Sequence, residues 1–281
     1  MSADPQETLA PLYKPAVALD FFKAAGKPEK AAAGKVFFRE NEKARSSLFT
    51  HDKMYLLLDG DVELSIKGKV IGAVKKGQFF GEMTSITHEP RSATATAKNA
   101  CRIIALDDKQ FHEGLRHQPA FTIMLMSIMI ARLRQTIAKL SASGAMSDDA
   151  ALKERAVFDP KRLAELADGL SNDPPVYFDR NKDIVKEGQA GTRMYAVLEG
   201  HVAVSIGGSV VEKLGPGGVF GELSLIEHSP RLASVVAVTD CSLLPINRLA
   251  FEMLVKTNTE FAESLLGSLA ERLRVLTTRL K

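Results

Sequence analysis

The 281-residue chain is long enough for two domains of ordinary size, and 45% hydrophobic with 25% charged residues is the composition of a globular protein. A net charge of +3 is too mild to imply nucleic acid or an anionic membrane as partner, so any anion site has to be local. Two cysteines, Cys101 and Cys241, cannot supply a metal centre or a disulfide framework.

The start, Met1-Ser2-Ala3-Asp4-Pro5, lacks the basic and apolar regions of a signal peptide, so a cytoplasmic protein is expected. Residues 1–30, rich in Ala, Pro and Lys, read as a tail with one helix. Short strand-like runs follow. Met54 to Leu58 ends in an acidic residue and glycine, and Val62 to Ile66 alternates with period two. Strand-like runs recur at Ala93 to Ala97 and Cys101 to Leu106. The pattern then turns helical, with Ile123, Met126, Ile130, Leu133, Ile137 and Leu140 spaced three and four apart. The apolar stretch from Phe121 to Ala131 is interrupted by Thr122 and Ser127 and reads as too short to span a bilayer. Ser141-Ala142-Ser143-Gly144-Ala145 reads as a linker, and Asp159-Pro160 opens a helix over 161–170.

The whole pattern then repeats. Shifted by 140 residues, Met54–Thr94 aligns with Met194–Ser234 without a gap, and 18 of the 41 pairs are identical, a duplication. The register continues through Cys101/Cys241, Phe111/Phe251 and Arg132/Arg272. The two cysteines are one position seen twice and read as buried small hydrophobes. Upstream the offset becomes 147, which faces Phe38 with Val185 and gives the first copy a longer loop within about 43–53. Ala262, Leu266, Leu269, Leu273, Leu276 and Leu280 repeat the helical seam. Each seam is open to two readings, a helix packed on its own domain or a homodimer contact through 121–140 or 260–280. The domains read as 31–145 and 146–281. Many short strands with glycine turns indicate mainly β structure with α, a small roll or jelly roll in each copy.

Within each copy one segment carries chemistry: Phe80-Gly81-Glu82-Met83-Thr84 through Arg91-Ser92-Ala93, and Phe220-Gly221-Glu222-Leu223-Ser224 through Arg231-Leu232-Ala233. A glycine turn feeding a short helix exposes backbone N–H groups, and the planar guanidinium nine residues beyond the glutamate can grip a phosphate with two hydrogen bonds. A glutamate beside a phosphate site makes sense if it accepts from a hydroxyl. The 2′-hydroxyl of a ribose next to a 3′,5′-cyclic phosphate meets that need. A Glu–Arg ion pair at a turn is the bland alternative, and its recurrence at identical spacing argues against it.

These two segments resemble the phosphate-binding cassette of cyclic-nucleotide-binding domains, and their tandem arrangement resembles the regulatory subunit of cAMP-dependent protein kinase. The sensor domains of cAMP-receptor-type regulators are similar. The resemblance covers about 34–140 and 176–280 and implies two tandem eight-stranded β-rolls flanked by helices. It implies that Glu82 and Glu222 bind ribose, that Arg91 and Arg231 bind the cyclic phosphate, and that the C-terminal helix closes over the base. The expected ligand is cAMP, with cGMP open at the first site because Ser92 follows Arg91 where Leu232 follows Arg231. Ser85 stands where Leu225 stands in the second copy, at the place the family uses to couple ligand to its moving helices.

The expected output is a helix rearrangement read by an effector protein of unknown identity. No Arg-Arg-x-Ser/Ala pseudosubstrate occurs in residues 1–30, and a chain ending at Lys281 leaves no room for a DNA-binding helix-turn-helix. Two rivals stand beside the sensor. One is an assembly scaffold with vestigial sites, or sites for another ligand such as a cyclic dinucleotide. The other is an enzyme using His88 or His228, for which no nucleophile, metal cluster or Walker-type loop is present.

Overall fold

The computed structural model describes residues 13–43, 52–143, 156–170 and 173–278. The extra loop of the first copy, the end of the linker and Leu280 lie outside the described residues.

The first copy runs α1 (Pro15–Ala25), β1 (Lys27–Ala31), β2 (Val36–Phe38), β3 (Lys53–Asp59), β4 (Val62–Ile66), β5 (Lys69–Val74), β6 (Phe79–Phe80), α2 (Glu82–Thr87), β7 (Thr94–Ala97), β8 (Cys101–Asp107), α3 (Asp108–His117) and α4 (Pro119–Ala142). The second runs α5 (Pro160–Gly169), β9 (Val176–Phe178), β10 (Asp183–Val185), β11 (Arg193–Glu199), β12 (Val202–Ile206), β13 (Ser209–Leu214), β14 (Val219–Phe220), α6 (Glu222–Glu227), β15 (Ser234–Ala237), β16 (Cys241–Asn247), α7 (Arg248–Thr257) and α8 (Thr259–Thr278).

Each copy is a pair of four-stranded antiparallel sheets. The orders are β1-β8-β3-β6 with β2-β7-β4-β5, and β9-β16-β11-β14 with β10-β15-β12-β13. This is the eight-stranded roll flanked by helices, built twice. Period-two alternation decides which side faces inward. In β7, Ala95 and Ala97 point into a core formed by Phe38, Tyr55, Leu57, Val62, Val74, Phe80 and Ile103. The second core places Val197, Val202, Leu214, Phe220, Val235 and Leu243 likewise. Burying one such side chain contributes about 1.5–3 kcal/mol, so a one-residue slip of a strand would forfeit several such contributions at once. Register also fixes the counterparts: Phe38 pairs with Ala95 as Val185 pairs with Val235. Cys101 and Cys241 are buried, with each Sγ against backbone carbonyls. Both rolls hand over to helices through a capped turn, Asp107 accepting from Gln110 N–H and Asn247 from Ala250 N–H.

The helices differ from a tail-roll-lid plan in two respects. First, the segment before residue 31 is integral. β1 pairs with β8 along its whole length, Phe21 and Phe22 of α1 are fully buried, and Phe21 stacks on Phe121 at 3.7 Å. Second, the chain divides into compact units between Ile128 and Met129, inside α4, whereas the composition break lies near residue 145. The second half of α4 packs within the second unit because its apolar face is used there.

Both helical seams are already covered. Met126, Ile130, Leu133, Ile137 and Leu140 are buried, as are Ala262, Leu266, Leu269, Leu273 and Leu276. A homodimer through these seams would need the same side chains exposed, so the reading as helices packed on their own chain is the one the structure favours. Among the described residues, α4 alone is long and apolar enough, by length and composition, to cross a membrane, which the interrupted apolar stretch did not suggest. Two-thirds of its most apolar window, 67%, is buried inside the protein.

Candidate functional site

The cassette geometry starts at a glycine. Gly81 and Gly221 cap α2 and α6 with φ of 86° and 85°, in the left-handed region that a side chain disfavours. A Cβ at Gly221 would also sit 2.5 Å from Arg231 Nη1, and one at Gly81 3.2 Å from Arg91 Nη1. Glycine therefore serves both the turn and the close approach of the arginine.

In the second copy, Arg231 Nη1 donates to Gly221 O at 2.8 Å and to Ser224 Oγ at 3.1 Å, and Nη2 donates to Arg193 O at 2.7 Å. The guanidinium is 7% exposed, and its burial lowers its pKa. Glu222, at the first position of α6, is 2% exposed. Its Oε1 accepts from Arg272 Nη1 at 2.6 Å. Arg272, on α8, also reaches Glu212 Oε2 of β13 at 3.1 Å and donates from Nη2 to Val219 O at 2.9 Å. Burial pushes the Glu222 carboxyl up and Arg272 opposes it, while the two carboxylates hold Arg272 firmly charged against its own burial.

All eight residues expected of the second site, Phe220, Gly221, Glu222, Leu223, Ser224, Arg231, Leu232 and Ala233, line one cavity. Its polar end is the cassette with Arg272 and Glu212, and the remainder is apolar, including Leu276 of α8 and Leu133 and Ile137 of α4.

The first copy repeats the frame with different partners. Arg91 Nη1 donates to Gly81 O at 2.8 Å and Nη2 to Lys53 O at 2.9 Å, but Nη2 also meets Asp52 Oδ1 at 3.2 Å. Phe38 lies under the guanidinium, 4.3 Å from ring centroid to Cζ. Burial lowers the Arg91 pKa and Asp52 opposes it. Glu82, Thr84 and Ala93 are buried with Phe80, Met83 is half-buried, and Ser92 is exposed. Ser85 is buried with no hydrogen-bond partner for Oγ among the described residues, whereas Leu225 fills the same place with an apolar side chain.

Sequence reasoning missed Glu212, Leu133 and the role of Arg272. A signal was present: Arg132/Arg272 falls in the repeat register, and Gly72 stands where Glu212 stands, so the first copy cannot build the same two-carboxylate clamp. His88 and His228 terminate α2 and α6 in left-handed conformation, φ 56° and 55°. His228 Nε2 lies 2.6 Å from Arg248 Nη1, and the His88 ring lies 6.0 Å from that of His112.

The family model for the cyclic nucleotide-binding domain matches residues 28–118 and 175–258, more than half of the chain and once on each roll. The chain belongs to the cyclic nucleotide-binding domain family. It carries two such domains in tandem. The cAMP-dependent protein kinase regulatory subunit of Debaryomyces hansenii is 28% identical over 236 residues, 83% of this chain and 47% of the relative. That of Eremothecium gossypii is 27% identical over 205 residues, 73% of this chain and 40% of the relative. The chain thus spans about half or less of the curated relatives it matches. Among solved structures, the regulatory domain of Toxoplasma gondii PKA with cAMP is 25% identical, covering 90% of this chain and 88% of that one, with a TM-score of 0.33.

Proposed function

We propose that the chain is a cyclic-nucleotide sensor whose second cassette binds cAMP. The observation that carries this is the second cavity, where a buried guanidinium and a buried carboxylate face one space walled mainly by apolar side chains. Arg231 holds the cyclic phosphate, its position set by the Gly221 and Arg193 carbonyls. Glu222 accepts from the ribose 2′-hydroxyl. Gly221, Leu223 and Ser224 line the turn, Phe220 backs it, and Leu232 with Ala233 lies toward the base. In the first cassette Phe80, Gly81, Glu82, Met83, Thr84, Arg91, Ser92 and Ala93 take the same roles, with cGMP as an alternative ligand.

Occupancy is read on α8. A hydroxyl on Glu222 competes with Arg272 for carboxylate lone pairs, so binding reweights the contact that fastens α8 to the roll. The changed helices signal to a partner protein. Membership of the family and likeness to kinase regulatory subunits support a regulatory, non-enzymatic role in the cytoplasm. Calorimetry of the whole chain with cAMP and with cGMP, repeated on Arg91→Ala and Arg231→Ala, tests the reading. Heat with cAMP that Arg231→Ala removes is the expected result, and no heat with either nucleotide in wild type refutes it.

A further inference from the structure

The second cavity is not closed by the second repeat alone. Leu133 and Ile137 lie four residues apart on α4, hence on one helix face, and both are buried in the cavity wall. Arg134, between them in sequence, leaves its own helix: Nε donates to Glu227 Oε2 at 2.6 Å, and Nη2 donates to Ser229 Oγ and, at 3.4 Å, to Pro230 O. Those acceptors belong to the end of α6 and the loop that delivers Arg231. One face of α4 thus reaches both the cavity and the loop carrying its arginine.

Arg274, the counterpart of Arg134 in the repeat register, pairs with Glu271 of its own helix at 2.6 Å, and Thr87 stands where Glu227 stands.

We propose that the second half of α4 is part of the second ligand site: Leu133 and Ile137 form the apolar wall for the nucleotide base, and Arg134 positions the loop that presents Arg231. This rests on the cAMP reading above. The phosphate and ribose belong at the polar end, so the base falls among the apolar side chains. Leu133, Ile137 and Leu276 face it from the helices, and Val211 faces it from the roll. Such a wall recognises a purine by its shape and flat apolar faces. The half of α4 that carries Leu133, Arg134 and Ile137 belongs to the second unit, as does the pocket it completes.

The test uses the full chain, titrated with cAMP and with a cAMP analogue bearing a bulky substituent on the base. Leu133→Ala and Ile137→Ala each weaken second-site cAMP binding about 10-fold. They weaken the analogue less, so the affinity ratio shifts toward it, a change that mere loss of stability does not produce. Arg134→Gln weakens both ligands alike and leaves the ratio unchanged. If truncation unfolds the chain, Leu133→Met and Ile137→Val carry the same ratio test with a smaller shift. Wild-type affinity and ratio in the α4 variants, with wild type binding cAMP, overturn the inference and leave the sensor reading standing. No cAMP binding by wild type overturns both.

Discussion

The two cassettes share one backbone and set different charged groups around their arginines and glutamates. In the first, Asp52 meets Arg91, and Phe38 lies under it. In the second, Arg272 of α8 meets Glu222 and Glu212, while the hydrogen-bond partners of Arg231 among the described residues are neutral oxygens. A duplicated motif fixes where the functional groups stand. The residues around them decide which charged side chains meet each arginine and glutamate.

The largest effect expected from this contrast is on binding. Arg231→Ala removes a charge-assisted grip and lowers second-site cAMP affinity by about 100-fold or more. Arg91→Ala leaves that site unchanged, and calorimetry of the two variants side by side makes the comparison. Equal losses from both would erase the distinction drawn between the cassettes.

Next in size is stability. Arg272→Met strands Glu222 and Glu212 in the interior, and removing one partner of a buried ion pair costs about 3–5 kcal/mol, readable by urea unfolding. The variant also acquires a pH signature. With Arg272 gone, burial, reinforced by the neighbouring Glu212 and opposed only by a backbone hydrogen bond at Glu222, holds the folded pKa of Glu222 above the unfolded value. The folded state then binds the extra proton, so the variant is most stable below the ordinary glutamate range and loses stability as pH rises through the raised pKa. A variant whose stability instead climbs with pH over that range would show Glu222 to be ionised without its partner.

Asp52→Ala addresses the first cassette, where Asp52 meets Arg91. It costs about 1.5–3 kcal/mol, as for a hydrogen bond to a charged group, and does so without moving second-site affinity. The smallest change is Ser85→Ala, which removes a buried hydroxyl lacking a partner among the described residues and raises the melting temperature by the equivalent of about 1 kcal/mol. A drop in melting temperature would mean that Ser85 has a role the second copy's Leu225 does not share.

Much was legible before any coordinates. The gapless register of 18 identities placed the cassettes on equivalent turns, and period-two alternation placed Val62 and Val202 in their cores. The seams were legible as apolar stripes, but a heptad pattern states only that a face is buried, and three heptads serve a lid as well as a dimer. The composition break near residue 145 marked a change of chain character, while packing divides the chain at Ile128/Met129. Local composition cannot report which core a helix face will join.

The sequence by itself determined the duplication, the roll in each half and the identity of the cassette groups, because these follow from local periodicity and from spacings of a few residues. Only the tertiary structure decided what faces those groups. Arg272 stands 50 residues from Glu222, and Arg134 stands 93 from Glu227. Pairings over such separations are set by how whole helices pack on the sheets, and no short-range pattern encodes them.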